Sequence, residues 1–172
     1  MKTLVYLFVI AVLLFAGCAK DEMFTDDADM NLKSAPVKMV PIKADFYSVT
    51  TVPDEYNLPK EGYLAGNFSH LGKIIPRKST WNATTLSLTT EYYKAYIEGQ
   101  LAAANGDLLF YSFTGTLDLT KNELCANVVY NGGTGRFKNC TGEAALTGYL
   151  NFDTGSFIMK VDGMITNVGS NK

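Results

Sequence analysis

From Val37 onward, apolar and polar side chains alternate with a period of two, the spacing that sends successive side chains to opposite faces of a β-strand. Eight runs carry the pattern, at residues 37–51, 62–69, 73–81, 93–104, 107–117, 123–130, 142–151 and 156–165. In the fourth, Ala95, Ile97, Gly99 and Leu101 share a face; in the eighth, Phe157, Met159, Val161 and Gly163 do. The fifth splits into Leu109, Tyr111, Phe113, Gly115, Leu117 against Leu108, Phe110, Ser112, Thr114, Thr116, and neither set is purely polar. The links are short and carry turn chemistry: Asn105-Gly106 is a two-residue hairpin signal, Thr120-Lys121-Asn122 a reverse turn, and Asp153-Thr154-Gly155 places glycine where positive φ is wanted. Short links make consecutive strands antiparallel neighbours, and a meander of eight removes its exposed edges by closing. The predicted fold is therefore all-β, an eight-stranded antiparallel meander β-barrel over residues 36–168 with a short tail at 169–172. Residues 52–61, with Pro53 and Pro59, read as a loop able to fold over a barrel mouth, and Pro76 marks an edge or a bulge.

Between the sixth and seventh runs lies Gly132-Gly133-Thr134-Gly135-Arg136-Phe137, closed by Gly142. Three glycines in four residues suit a sharp reversal, after which Phe137 turns inward while Arg136 and Lys138 stay wet, so the segment reads as a structural turn sealing one barrel end. A phosphate cradle would need a helix opened by Lys and Ser or Thr, whereas Lys138 leads into Asn139-Cys140-Thr141 and another strand. The segment resembles the G-G-T-G-x-F…G turn of dirigent proteins and the wider allene oxide cyclase barrel-like superfamily. Residues 103–163 also resemble small lipoproteins of Bacteroidetes. The resemblance spans residues 95–165 and implies the barrel. The Asp and Arg residues of dirigent catalysis have no matching pattern here, so the turn alone is carried over.

Upstream of the barrel, Lys2 precedes an unbroken apolar run from Leu4 to Ala16, ending in Ala16-Gly17-Cys18. The run is too short to cross a bilayer comfortably, which takes about 20 residues. Residues 1–17 resemble a bacterial lipoprotein signal with Cys18 as the lipidated residue, although Phe15 stands where such signals usually carry Leu. The alternative is an ordinary cleaved signal with an incidental cysteine. Residues 18–35 hold five acids and two lysines and too little apolar content to fold alone, the composition of a flexible tether. Lys20-Asp21-Glu22 resembles the signal that sends such lipoproteins to the outer face of the outer membrane; the alternative is a plain acidic linker. The expected partner on this reading is the membrane, through the lipid on Cys18.

Composition narrows the function classes. At 172 residues, with 47% hydrophobic and 12% aromatic side chains, the chain holds one packed domain plus a targeting segment. Its formal charge of −2, with acids and bases balanced after residue 35, argues against a nucleic-acid partner. One histidine, His70, excludes a multi-histidine metal centre, and no cofactor is expected. His70 reads either as a strand-end residue bonded to neighbouring backbone or as a general acid or base. Glu98, Glu143 and Asp162 fall within strands, on the wet face or as proton-transfer groups in a polar lumen. Cys125 and Cys140 flank the glycine turn, and in an exported protein they form either a disulfide or two free thiols. Three functional readings follow. A module binding a small apolar or aromatic ligand in the barrel leads. An envelope interaction or structural protein with a filled lumen comes second, and an isomerase- or cyclase-like enzyme, by fold analogy alone, third. A transmembrane barrel ranks last, because a lipid anchor would be redundant on it.

Overall fold

The computed structural model describes residues 38–55 and 58–166. The signal at 1–17, Cys18, the tether to residue 35 and the tail at 169–172 lie outside them. Among the described residues the strands are β1 Met39–Pro53, β2 Pro59–Phe68, β3 Gly72–Lys73, β4 Thr80–Leu88, β5 Tyr92–Ala102, β6 Leu108–Asp118, β7 Glu123–Gly133, β8 Thr141–Asn151 and β9 Ser156–Thr166. Every pairing is antiparallel, and β1 pairs with both β2 and β9. The sheet therefore closes into an eight-stranded barrel, with the two-residue β3 an appendage on β2. A row of paired residues runs from Thr50 through Gly62, Trp81, Gly99, Tyr111, Tyr130, Gly142 and Ile165 to Val40. It returns to β1 ten residues from its start, a shear of ten. A (β/α)₈ barrel of the same strand number has a shear of about eight. The larger stagger tilts the strands further and widens the cylinder.

Alternation now has a direction. On β1, Ile42, Ala44, Phe46 and Ser48 are buried, while Lys43, Asp45 and Tyr47 between them are exposed. On β6 the inward set is Leu109, Tyr111, Phe113, Gly115 and Leu117. The interior is apolar, and the outer face mixes Lys43, Lys94, Glu98, Glu143, Lys160 and Asp162 with exposed Tyr47, Tyr96, Phe110, Val129 and Tyr149, whereas a transmembrane barrel has a continuous apolar outer band and a polar interior.

Two expectations need correction. The third strand does not cover 73–81: it runs from Thr80 to Leu88, with Trp81 and Ala83 inward and Asn82 and Thr84 outward. Pro76 has no N–H for a ladder and Arg77 sits at φ 65°, so the chain turns instead. Ser79 N donates to Ile75 O at 3.0 Å, Ile75 N to Ala102 O at 3.0 Å, and the buried Ser79 hydroxyl accepts from Ala102 N at 2.9 Å. The loop expected at 52–61 is also shorter, because β1 extends to Pro53 and β2 starts at Pro59. These two prolines pair at the strand ends, where a missing N–H costs little. Asp54 N to Leu58 O at 2.7 Å and Leu58 N to Asp54 Oδ1 at 2.8 Å close the turn.

The barrel ends differ. One carries the connections 69–79, 103–107 and 134–140, and there Ile42, Phe68, Leu101, Leu109, Phe137 and Ile165 are at most 1% exposed. The other carries the β1–β2 connection after Asp54 and the turns at 89–91, 119–122 and 152–155; of the inward side chains of that half, Ile97, Phe113 and Phe157 are half-buried, while Tyr93, Leu117 and Leu124 are buried. One end is sealed and the other is a mouth.

Candidate functional site

The seal is built by the glycine turn. Gly132 at φ 85° and Gly135 at φ 51° hold left-handed backbone, and a side chain on Gly135 would run into the Asp107 carboxylate. Between them Thr134 docks the turn on β6: its N–H donates to Leu108 O at 2.8 Å and its hydroxyl accepts from Leu108 N at 2.9 Å. A single 3₁₀ turn, Gly135–Phe137, then carries the fully buried Phe137 into the barrel end. Arg136 lies across its ring, guanidinium carbon 4.9 Å from the centroid, and the Arg136 N–H reaches Asp107 Oδ2 at 3.3 Å. Gly142, the second residue of β8, lies with its Cα against Ile165.

Above the seal the barrel is hollow. A cavity of about 80 Å³, counted as the space open to the centre of a water molecule, is walled by Phe46, Leu64, Trp81, Tyr93, Tyr111 and Met159 among others. On that measure about 10–15 Å³ holds one water, and an engineered cavity of about 150 Å³ binds benzene. The lumen suits a slender guest, or one that enters by its tip and projects through the mouth. The space exists because the largest rings are folded into the wall. The Trp81 indole lies over Gly62, where a Cβ would come within 2.6 Å of Cζ2. The Tyr111 phenol lies over Gly99 at the same spacing, its hydroxyl 3.4 Å from Thr80 O.

The interior polar groups are few. Ser48 Oγ accepts from Phe157 N at 3.1 Å. Toward the mouth, Tyr93 and Thr85 hydroxyls are 3.4 Å apart and Thr85 donates to Asp54 Oδ2 at 3.3 Å. Trp81 Nε1 and Thr50 Oγ1 are buried without a partner.

The residues singled out for chemistry are not gathered here. His70, at φ 68°, is exposed near the sealed end, with Nε2 2.9 Å from Pro41 O, the backbone-bonding role. Glu98, Glu143 and Asp162 are exposed on the outer face; Asp162 sits 3.8 Å from Lys43 in a surface pair that contributes little. Cys125 is exposed on β7, whereas Cys140 is buried at the sealed end with Sγ 3.9 Å from Thr166 O. Both are free, so the disulfide considered from sequence is not formed: the two thiols face opposite sides of the wall. Among the described residues no group of three or more His, Cys, Asp or Glu side chains comes together to hold a metal.

Burial pushes Tyr111 and Tyr130 above the ordinary tyrosine value of 10.0, with a smaller upward contribution from Tyr130 on the first and Cys140 on the second. Tyr93 is also raised, chiefly by burial; the Thr85 hydrogen bond opposes this and the Asp54 charge adds to it. In the unfolded chain these phenols ionise near 10, while in the barrel they keep their protons. The unfolded state thus loses protons first as pH rises. The tyrosine contribution to stability is full below about pH 10 and falls above it, by up to about 1.4 kcal/mol per pH unit for each of them. Urea midpoints measured from about pH 9 to about pH 11 should decline steeply in the upper half of that range. A flat profile would mean the rings reach water.

No family model matches the chain, and no curated protein matches it. Among solved structures it is similar to two pterocarpan synthase dirigent proteins. One is 14% identical with a TM-score of 0.48, over 76% of this chain and 96% of that one. The other is 17% identical with a TM-score of 0.49, over 78% and 88%.

Proposed function

We propose that the protein is a lipid-anchored binding module that holds a small apolar or aromatic ligand in the barrel lumen. The observation that carries this reading is the cavity of about 80 Å³, closed at the Phe137 end and walled by apolar and aromatic side chains. A folded interior is normally packed to crystal density, so an unfilled, one-ended lumen is a feature that asks for a guest. The anchor rests on the sequence alone: the apolar run to Ala16, the acceptor Cys18, and Lys20-Asp21-Glu22 behind it support a lipid-held protein on the outer membrane, facing the exterior. The interaction-protein reading has weaker support, because it calls for a filled barrel. The cyclase-like reading draws on the Tyr93–Thr85–Asp54 hydroxyl and carboxylate chain near the mouth.

Native mass spectrometry of the full chain, purified gently and without refolding, tests both parts. A reproducible extra mass released on unfolding is expected, together with covalent acyl mass that a Cys18→Ser variant lacks. A clean polypeptide mass with no thermal stabilisation by any member of a lipid and phenolic panel would favour the interaction-protein reading. A chain carrying no acyl mass would remove the anchor.

A further inference from the structure

Inside an apolar barrel, a polar atom without a partner is the informative one, since nearly all buried donors and acceptors are paired. Trp81 is 7% exposed, and its Nε1–H, which can donate but not accept, has no partner. Thr50 Oγ1 is buried and unpartnered as well. The two belong to one cross-barrel row, with only Gly62 between them. Gly62 has no side chain to fill that gap, and the indole is tipped over it. Trp81 Cε2, the atom bonded to Nε1, would be 2.8 Å from a Cβ placed on Gly62. The Cζ2–Cε2 side of the ring thus lies against Gly62 of β2.

We infer that Trp81 Nε1 is the polar recognition point of the lumen, donating to the oxygen of a neutral apolar carbonyl compound. The inference rests on the lumen-binding reading and names its ligand class. A donor-only group requires an acceptor from the guest, and a carbonyl oxygen supplies one. Among the described residues, no Lys, Arg, His, Asp or Glu lines the cavity. A carboxylate or an ammonium would therefore enter without a counter-charge and lose its hydration, whereas a ketone, ester or amide gives up far less. The modest volume selects a slender molecule, with its oxygen part-way down and its apolar remainder between the Trp81 level and the mouth.

The test uses the full chain and three probes of one skeleton: 2-hexanone, hexane and hexanoate. The ketone should bind about fivefold to tenfold more tightly than hexane, the increment of one well-made hydrogen bond, and hexanoate should bind worst. In Trp81→Phe the ketone should lose its advantage over hexane, because its oxygen is then buried without a donor. Because the chain has a single tryptophan, one indole N–H resonance reports the contact in the unmodified protein, and it should move downfield with 2-hexanone and stay in place with hexane. If Trp81→Phe fails to fold, that resonance decides the matter. Equal binding of ketone and hexane to the unmodified protein, or an indole resonance indifferent to saturating 2-hexanone, would overturn the inference while leaving the lumen as a site; a water on Trp81 Nε1 would then be the occupant. Failure of all three probes to bind would remove the lumen-binding reading itself.

Discussion

Replacing Phe137 by alanine should cost about 3–5 kcal/mol of folding stability, the range for deleting a buried aromatic ring from a core that cannot collapse around the gap. Phe137 has no exposed surface, and its neighbours at the sealed end, Phe68, Leu109 and Ile165, are equally buried. Those neighbours sit on strands whose registers are fixed by ladders on both sides, so they cannot move in to fill the space. The turn that carries the ring would also lose the surface under Arg136, whose guanidinium packs on it. A total stability of about 5–15 kcal/mol is typical of such domains, so the variant should sit near the edge of folding. A second consequence separates this site from an ordinary core position. Phe137 helps close the barrel end beneath the lumen, together with Phe68, Leu109 and Ile165, so any ligand held above it should also bind less well. Urea unfolding of Phe137→Ala and Phe137→Leu would measure the first effect. The leucine variant should keep most of the stability, and a loss below about 1 kcal/mol in the alanine variant would show that the end is not sealed by this ring.

The strands were legible in the chain because a half-buried strand writes its own period, and most turns lie where Asn105-Gly106, Asn122 and Gly155 announced them. The third strand was misplaced for a physical reason. Leu71, Ile74 and Trp81 are all buried, but the first two cap the sealed end from a connection and only the last belongs to a strand. An apolar run looks the same whether it plugs an end or lines a wall. Pro76 was the residue that distinguished them, since a ladder position there would lack its donor. The inward face of β6 was ambiguous because Phe110 and Leu108 are as apolar as their neighbours. It was settled by register, which sets Tyr111 against Gly99 and Gly115 against Ala95. The lumen and its polar point were not legible at all. Trp81 matters because Gly62 and Gly99 flank it on β2 and β5, and residues 62, 81 and 99 become neighbours only once three strands are registered. Cys125 and Cys140 bracket the glycine turn in sequence, yet strand alternation turns one out and the seal takes the other in.

Filling the lumen from the wall should separate stability from binding, and Ala95→Leu is the variant to do it. Ala95 is 2% exposed, faces the cavity from β5, and is paired with Thr85 on one side and Gly115 on the other. Opposite a glycine, three added carbons have only one open direction, toward the barrel axis. A cavity of about 80 Å³ cannot take them and a guest together. If the lumen is empty in the free protein, the new side chain should gain about 0.5–2 kcal/mol, as cavity-filling substitutions do, and raise the urea midpoint. If the space were already packed, the same change would cost about 1–3 kcal/mol through displaced rotamers. Ligand binding should fall by about 100-fold or more, because an excluded guest must either leave or force the leucine off its rotamer, at a few kcal/mol. The two readouts together carry the argument. Higher stability with lost binding is the mark of a void kept open for a ligand at the expense of packing. Lower stability would refute the void, and unchanged binding with higher stability would move the site from the lumen to the outer wall.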